Sequence, residues 1–274
     1  MSTLIEPAPS ARVALGLEYL GTRYCGWQRQ HHCLSVQAEV ESALTRIAAA
    51  PIAIVVAGRT DTGVHAVGQV VHFDSQARRD VDRWVLGTNT CLPAGVCVRW
   101  ARAVPNDFHA RYSALWRHYR YVIQDSRARS VVTQERVCWV HYPLDAQRMH
   151  EAAQCLLGEH DFSSFRASGC QAKTARRHLY QIQVRRVGDL VVIDVRANAF
   201  LHHMVRNIAG ALLKVGSGEV PMTWLAELLT QRDRTLGGMT AAAEGLYLLG
   251  VGYPDHFGLP AMVADGERAG LPFV

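Results

Sequence analysis

Ile52-Ala53-Ile54-Val55-Val56-Ala57, then Gly58-Arg59-Thr60-Asp61-Thr62-Gly63-Val64-His65-Ala66, then Gln69-Val70-Val71-His72-Phe73-Asp74 reads as strand, loop, strand. The first run is short and apolar, as a buried strand is, and the last has strand character of its own. Between them, small and turn-forming residues surround one arginine and one aspartate, and the glycines allow backbone geometry that a side chain would block. Upstream, Arg12–Leu20 alternates, with Val13, Leu15, Leu17 and Tyr19 on one face, and is a predicted strand. A Gly-containing stretch, Gly21 to Cys33, follows. Ser35 is placed to cap a helix running to about Ala50, with Val36, Val40, Ala43, Leu44 and Ile47 as its apolar face. Downstream, Asp80 to about Leu92 reads as a helix with Trp84 and Val85 inward, and Val96–Val104 as a strand. The order is β-α-β-β-α-β.

The rest of the chain repeats that order without repeating the residues. Ala114–Gln124 is a predicted strand and Asp145–Leu157 a helix with Met149, Ala152, Ala153 and Leu156 inward. Ala175–Val187 and Asp189–Ala197 are two strands joined near Gly188. His202–Val215 is a helix, a shorter helix follows Pro221, and Gly245–Tyr253 is a last strand. The fold class is therefore α+β, built from two ferredoxin-like (βαββαβ) halves. The expected organisation is a disordered tail at residues 1–11, one half at 12–107 carrying the Asp61 loop, a second at 108–254, and a tail at 255–274 to which no motif assigns a role. Should the two sheets merge edge to edge, loops from both halves meet over one cleft.

Length and composition fit this reading. The 274 residues are 49% hydrophobic and 19% charged, enough to bury a core in each half. The net charge of +5 permits an anionic partner without demanding one. Its distribution says more. No acid lies between Phe162 and Gly188, where Arg166, Lys173, Arg176, Arg177, Arg185 and Arg186 stand. None lies between Phe108 and Gln124, where Arg111, Arg117 and Arg120 alternate with Phe108, Tyr112, Trp116, Tyr119 and Tyr121. Cations among aromatics suit a surface that neutralises phosphates and stacks bases; a solvated strand face over a core explains each run as well. The seven cysteines are scattered with no CxxC pair, which argues for reduced thiols and against a zinc knuckle or disulfide framework. No apolar run approaches bilayer length and the first dozen residues lack a signal-peptide core, so a cytoplasmic protein without a membrane partner is expected.

The loop Gly58-Arg59-Thr60-Asp61-Thr62-Gly63-Val64-His65-Ala66 resembles the active-site loop of the tRNA pseudouridine synthase A family. Four more segments carry the resemblance: Gly21-Thr22-Arg23-Tyr24-Cys25-Gly26-Trp27-Gln28, Asp107-Phe108-His109-Ala110-Arg111, Tyr119-Arg120-Tyr121, and Phe200-Leu201-His202-His203-Met204-Val205-Arg206-Asn207-Ile208. It extends from about Val13 to Pro254. The resemblance implies the pseudouridine synthase fold, two ferredoxin-like halves sharing a central mixed, mainly antiparallel sheet. It implies isomerisation of uridine at positions thirty-eight to forty of the tRNA anticodon arm, by a homodimer with no cofactor and no metal. Residue by residue, it implies Asp61 as the catalytic carboxylate, Arg59 as an aid to turning the base out, Tyr119 as the ring stacked on the target base, and Arg206 as the partner of Asp61. Phe108, His109, Ala110, Arg111 and Tyr112 match one RNA-contacting segment, Gly169, Cys170, Gln171, Ala172 and Lys173 a second, and Arg79 a further contact.

These roles make physical sense. The reaction breaks the bond from uracil N1 to the ribose, turns the base and rejoins it through C5, so nothing is oxidised or hydrolysed. A stacked uridine must first be extruded, at a cost of a few kcal/mol, and an aromatic face returns roughly 1–3 kcal/mol by stacking. Asp61 has to be ionised; burial opposes that and a guanidinium favours it. Tyr119 is also a candidate to remove the C5 proton. Two other readings stand beside this one. A non-catalytic RNA-binding module would share the sheet and its aromatics. A metal-assisted hydrolase would use Asp61, His65 and His72 as ligands. His31, His32, Cys33, His202 and His203 also invite a metal, but neighbouring histidines on a helix diverge, so His202 and His203 are not expected to share one ion.

Overall fold

The computed structural model describes residues 10–260. The first half consists of β1 (Ala11–Tyr19), α1 (Val36–Ala48), β2 (Val55–Val56), β3 (His65–Ser75), α2 (Val81–Cys91) and β4 (Val96–Val104). The second contains β5 (Trp116–Asp125), β6 (Cys138–Val140), α3 (Ala146–Ala153), β7 (Gly158–Asp161), β8 (Arg176–Val187), β9 (Leu190–Ala197), α4 (Met204–Gly216), α5 (Trp224–Gln231) and β10 (Leu246–Gly252). All strands belong to one sheet in the order β4-β1-β3-β10-β5-β9-β8-β7, with β2 on β3 and β6 on β5. Within it, β4-β1-β3-β2 and β10-β5-β9-β8 are the same ferredoxin-like order written twice. The chain is α+β, and its sheet is mixed and mainly antiparallel; β3 with β10 and β5 with β6 are the parallel pairs.

The join between the halves is where β3 meets β10, at Tyr247 opposite His65 and Leu248 opposite Ala66. The same edge of β3 carries β2 further along, at Val55 opposite His72 and Val56 opposite Val71. The strand expected over Ile52–Ala57 is only two residues long. Upstream of those two, the backbone amides of Ile52 and Ile54 bond to α1 side chains, Thr45 Oγ1 at 3.1 Å and Glu41 Oε1 at 3.0 Å, instead of a neighbouring strand. Ser35 does cap α1, its hydroxyl accepting from the Ala38 amide.

Near-continuous apolar runs in β5, β9 and β10 are explained by burial on both faces. Tyr121, Ile123, Val191, Ile193, Val195 and Leu248 join the main core under the helices. Their alternates Val122, Leu190, Val192, Tyr247 and Leu249 form a second apolar cluster with Val137. Asp194 is in phase with that second set. It lies opposite Arg120 across the strands and receives two bonds from that guanidinium, at 2.8 and 3.1 Å. His118 Nε2 lies 3.3 Å and Arg185 3.6 Å from the same carboxylate.

Several expectations need correction. The cation-and-aromatic run of β5 is mostly interior, because β5 is central in the sheet: Arg120, Tyr119 and Tyr121 are buried. In the second basic run, Arg176, Arg185 and Arg186 meet Glu159, Asp194 and Asp125, acids brought from outside the run. The cysteines are not all free, since Cys25 and Cys33 are disulfide-paired. Spacing did not betray this; the loop folds back, with the Cys25 amide bonded to the Leu34 carbonyl at 2.9 Å. Residues 1–9 of the expected N-terminal tail and 261–274 of the C-terminal one lie outside the described residues, and Ala11 already belongs to β1. Phe257, in the nominal C-terminal tail, is buried against Phe108 with ring centroids 5.1 Å apart.

Candidate active site

The Gly58–Val64 loop is short and fixed from beneath. Thr60 is buried, its hydroxyl 2.8 Å from Tyr19 Oη, and Gln69 Nε2 bridges Tyr19 Oη and the Gly58 carbonyl at 3.2 and 2.7 Å. The Trp27 amide donates to the Thr60 carbonyl at 3.0 Å, and the Val64 amide to that of Asp61 at 3.1 Å. Gly26, in the left-handed region at φ 89°, lets the 21–34 loop press on this one; a Cβ there would lie 2.7 Å from Thr60 O and 3.0 Å from the Asp61 carbonyl carbon. Gly26→Ala is therefore expected to displace the Asp61 main chain. Steady-state kinetics should show kcat lowered roughly tenfold to a hundredfold with KM much less affected.

Opposite the loop stands the second half. The Asp61 carboxylate is 28% exposed and faces the start of α4: His202 Nε2 is 3.4 Å from Oδ1, His203 Nε2 3.4 Å from Oδ2, and Arg206 Nη1 3.8 Å from Oδ2. The approach of Arg206 is a long ion pair, because its Nε is committed to the Ala241 carbonyl at 2.8 Å. The first turn of α4, with its partial positive charge, suits a carboxylate. Burial, with the neighbouring His202, Arg206 and Arg234, holds the His203 imidazole below its ordinary pKa despite Asp61. At neutral pH His203 thus meets Asp61 as a neutral ring.

The histidine pair corrects the expectation from helical geometry. Helix α4 begins at Met204, so His202 and His203 precede it, and His203 is in the left-handed conformation at φ 60°. That turn brings both rings to one side, 4.0 Å apart, on the same carboxylate. By contrast Asp61, His65 and His72 do not form a ligand set. His65 and His72 lie seven residues apart on β3, about 23 Å along a strand. His65 Nδ1 accepts from the Gly21 amide at 3.1 Å and His72 Nδ1 from the Ala110 amide at 3.1 Å. Burial pushes each imidazole down to about 4, which suits these acceptor roles.

Tyr119 is buried beneath the loop, edge-on to Phe200 with centroids 5.0 Å apart, and its hydroxyl would lie 3.8 Å from a Cβ at Gly58. Burial, then the charges of Tyr19 and Asp61, raise its pKa, so it holds its proton and is a poor base. Arg59 is exposed at the loop's rim. In the 108–112 segment, Phe108 and Ala110 have buried side chains and His109 is half-buried, while Arg111 and Tyr112 face outward. Segment 169–173 borders the site, with the His202 amide 3.5 Å from Cys170 Sγ, and Arg166 bonded to the Cys170 and Ala172 carbonyls. Arg79 is not part of this cluster. It follows the far end of β3 and bonds to the Ile47 carbonyl at 3.3 Å.

One organising residue escaped the sequence reading. Arg117 donates to the carbonyls of Ala57, Arg111 and Asn198 at 3.0, 2.8 and 3.0 Å, tying three loops around the site together. On sequence it was one more strand cation; only the convergence of those carbonyls identifies it.

Two ferredoxin-like halves thus share one sheet, and an aspartate loop of one half faces a basic helix start of the other. A family profile described as tRNA pseudouridine synthase matches residues 17–113 and 152–254. A tRNA pseudouridine synthase A of Klebsiella pneumoniae is 54% identical over 258 residues, 94% of this chain and 96% of its own. One of Escherichia fergusonii is 55% identical over 260 residues, 95% of this chain and 96% of its own. Among solved structures, a Cbf5-Nop10-Gar1 complex aligns with a TM-score of 0.39 at 12% identity, over 86% of this chain and 49% of that one. The chain belongs to the tRNA pseudouridine synthase family. Among the described residues, no helix is long and apolar enough to cross a membrane.

Proposed function

We propose that this chain converts uridine to pseudouridine at positions thirty-eight to forty of the tRNA anticodon arm, with Asp61 as the catalytic carboxylate. The observation that supports this most is the setting of Asp61: partly exposed, held on a loop fixed by Thr60, and faced by Arg206, His202 and His203. A pure RNA binder has no use for an anion at the centre of such a surface, which weighs against the non-catalytic reading. Arg59 at the rim assists eversion of the nucleotide, and Tyr119 supplies the stacking face. With its hydroxyl kept protonated, Tyr119 is a better stacker and donor than base, and Tyr119→Phe is expected to bind tRNA normally and retain measurable turnover. The test of the whole reading is mapping of pseudouridine in unmodified tRNA after incubation with the protein. Product at other positions alone, or no product, overturns it.

RNA contact is assigned to His109, Arg111, Tyr112, the 169–173 segment and Arg79. Arg111 lies 5.6 Å from the Tyr112 ring centroid, both exposed, so a phosphate and a base can be met together. Arg111→Glu is expected to weaken tRNA binding and lower the slope of log affinity against log salt by about one. Filter binding across a salt series measures both, and an unchanged slope removes Arg111 from the interface. A homodimer in the cytoplasm completes the proposal; light scattering on the purified protein tests the dimer.

A further inference from the structure

We propose that Asp61, His202 and His203 form an inhibitory zinc site, in which a bound Zn2+ takes the carboxylate that the reaction needs. The inhibitory half of this rests on the proposed role of Asp61; the binding half does not. The three residues offer one ligand atom each, all within 4.8 Å of one another, and they are the one such group of three among the described residues. The two imidazole-to-carboxylate separations are both 3.4 Å. Ligands about 2.0–2.2 Å from a tetrahedral zinc stand about 3.3–3.6 Å from each other, and each imidazole already stands one such edge from a carboxylate oxygen, His202 from Oδ1 and His203 from Oδ2. Two imidazoles and a carboxylate are the donor set of open, borderline metal sites, and unsuited to Mg2+ or Ca2+, which prefer all-oxygen shells.

The surroundings allow entry. His202 is 42% exposed, and Asp61 and His203 are each 28% exposed, so an ion reaches the three from solvent and keeps a water as fourth ligand. The His203 backbone in the left-handed region turns both rings to one side, an arrangement that a helical His-His pair would not give. Arg206, 3.8 Å from Oδ2, opposes a second cation and keeps the site weaker than a structural zinc centre. That fits a site in which zinc is an inhibitor and not a resident cofactor.

The test uses the full chain, stripped with chelator. Isothermal titration with zinc chloride should show one equivalent at this site, and Co2+ in its place should give the visible bands of a four- or five-coordinate ion. Pseudouridine formation should fall with the same midpoint and return on adding chelator, whereas added Mg2+ or Ca2+ should neither bind there nor inhibit. His202→Ala and His203→Ala should each weaken zinc binding by more than about a hundredfold, the most that loss of an outer-shell partner costs. Should an alanine variant fail to fold by circular dichroism, His202→Gln and His203→Gln serve the same comparison. Three results overturn the proposal: no zinc bound by the parent, binding unchanged in the double histidine variant (an ion held by thiols), or full activity in zinc-saturated protein. Metal-free Asp61→Asn separates the two ideas: if it is fully active, the catalytic role of Asp61 fails, while zinc binding is judged on calorimetry alone.

Discussion

Asp61→Asn is expected to lower pseudouridine formation by about a thousandfold or more while leaving tRNA affinity within a few-fold of the parent. The amide matches the carboxylate in size, and the loop beneath it is held by Thr60, Tyr19 and Gln69, none of which bonds to the Asp61 side chain. The variant therefore keeps its shape and loses its charge. Arg206, with its Nε on the Ala241 carbonyl, stays in place without the anion. Single-turnover assays with labelled tRNA separate the chemical step from binding. Undiminished turnover by the asparagine protein would remove the carboxylate from the mechanism.

Asp194→Ala should be among the most destabilising single changes in the second half. Its carboxylate is almost fully buried between β5, β8 and β9 and meets Arg120, His118 and Arg185. Removal leaves the buried Arg120 guanidinium without its carboxylate, which costs about 3–5 kcal/mol by comparison with other broken buried pairs. In a chain of this size that lowers the melting temperature by roughly 10 °C. The pH dependence has a definite sign. Burial alone would raise the Asp194 pKa, but bonds from His118 and Arg120 outweigh it and hold the group below its ordinary 3.8. A depressed folded pKa contributes stability that is complete above the unfolded value and lost as pH falls through the folded one. Parent protein should thus lose stability below pH about 4 in a step that the alanine variant lacks. Equal melting temperatures for the two proteins would refute the account.

Elements with a clear period or a cap were legible in the sequence. β4 was read to the residue, and α1 was announced by Ser35 and its apolar stripe. The doubled βαββαβ order followed from those elements alone. What was not legible depended on partners far away in sequence. β2 is short because the amides of Ile52 and Ile54 bond to α1 side chains, and β6 and β7 are too short to show a period. At the site, the motif pointed to Asp61 and Arg206, but the histidines were misjudged because one left-handed residue moved the helix start past them. The cations of β5 looked like a surface because a sequence carries no sign of which strand will end in the middle of a sheet. Arg117 shows the same limit, since its meaning lies in three carbonyls spread from Ala57 to Asn198.

The narrow pairing of Tyr247 and Leu248 with His65 and Ala66 has a further consequence. The seam of the sheet and the candidate site lie together, because the Asp61 loop leads into β3 at that pairing. Neither lobe alone carries both the Asp61 loop and the side chains that face it. Turnover therefore reports the integrity of the whole sheet, and anything that prises the lobes apart should silence the chemistry before it melts either one.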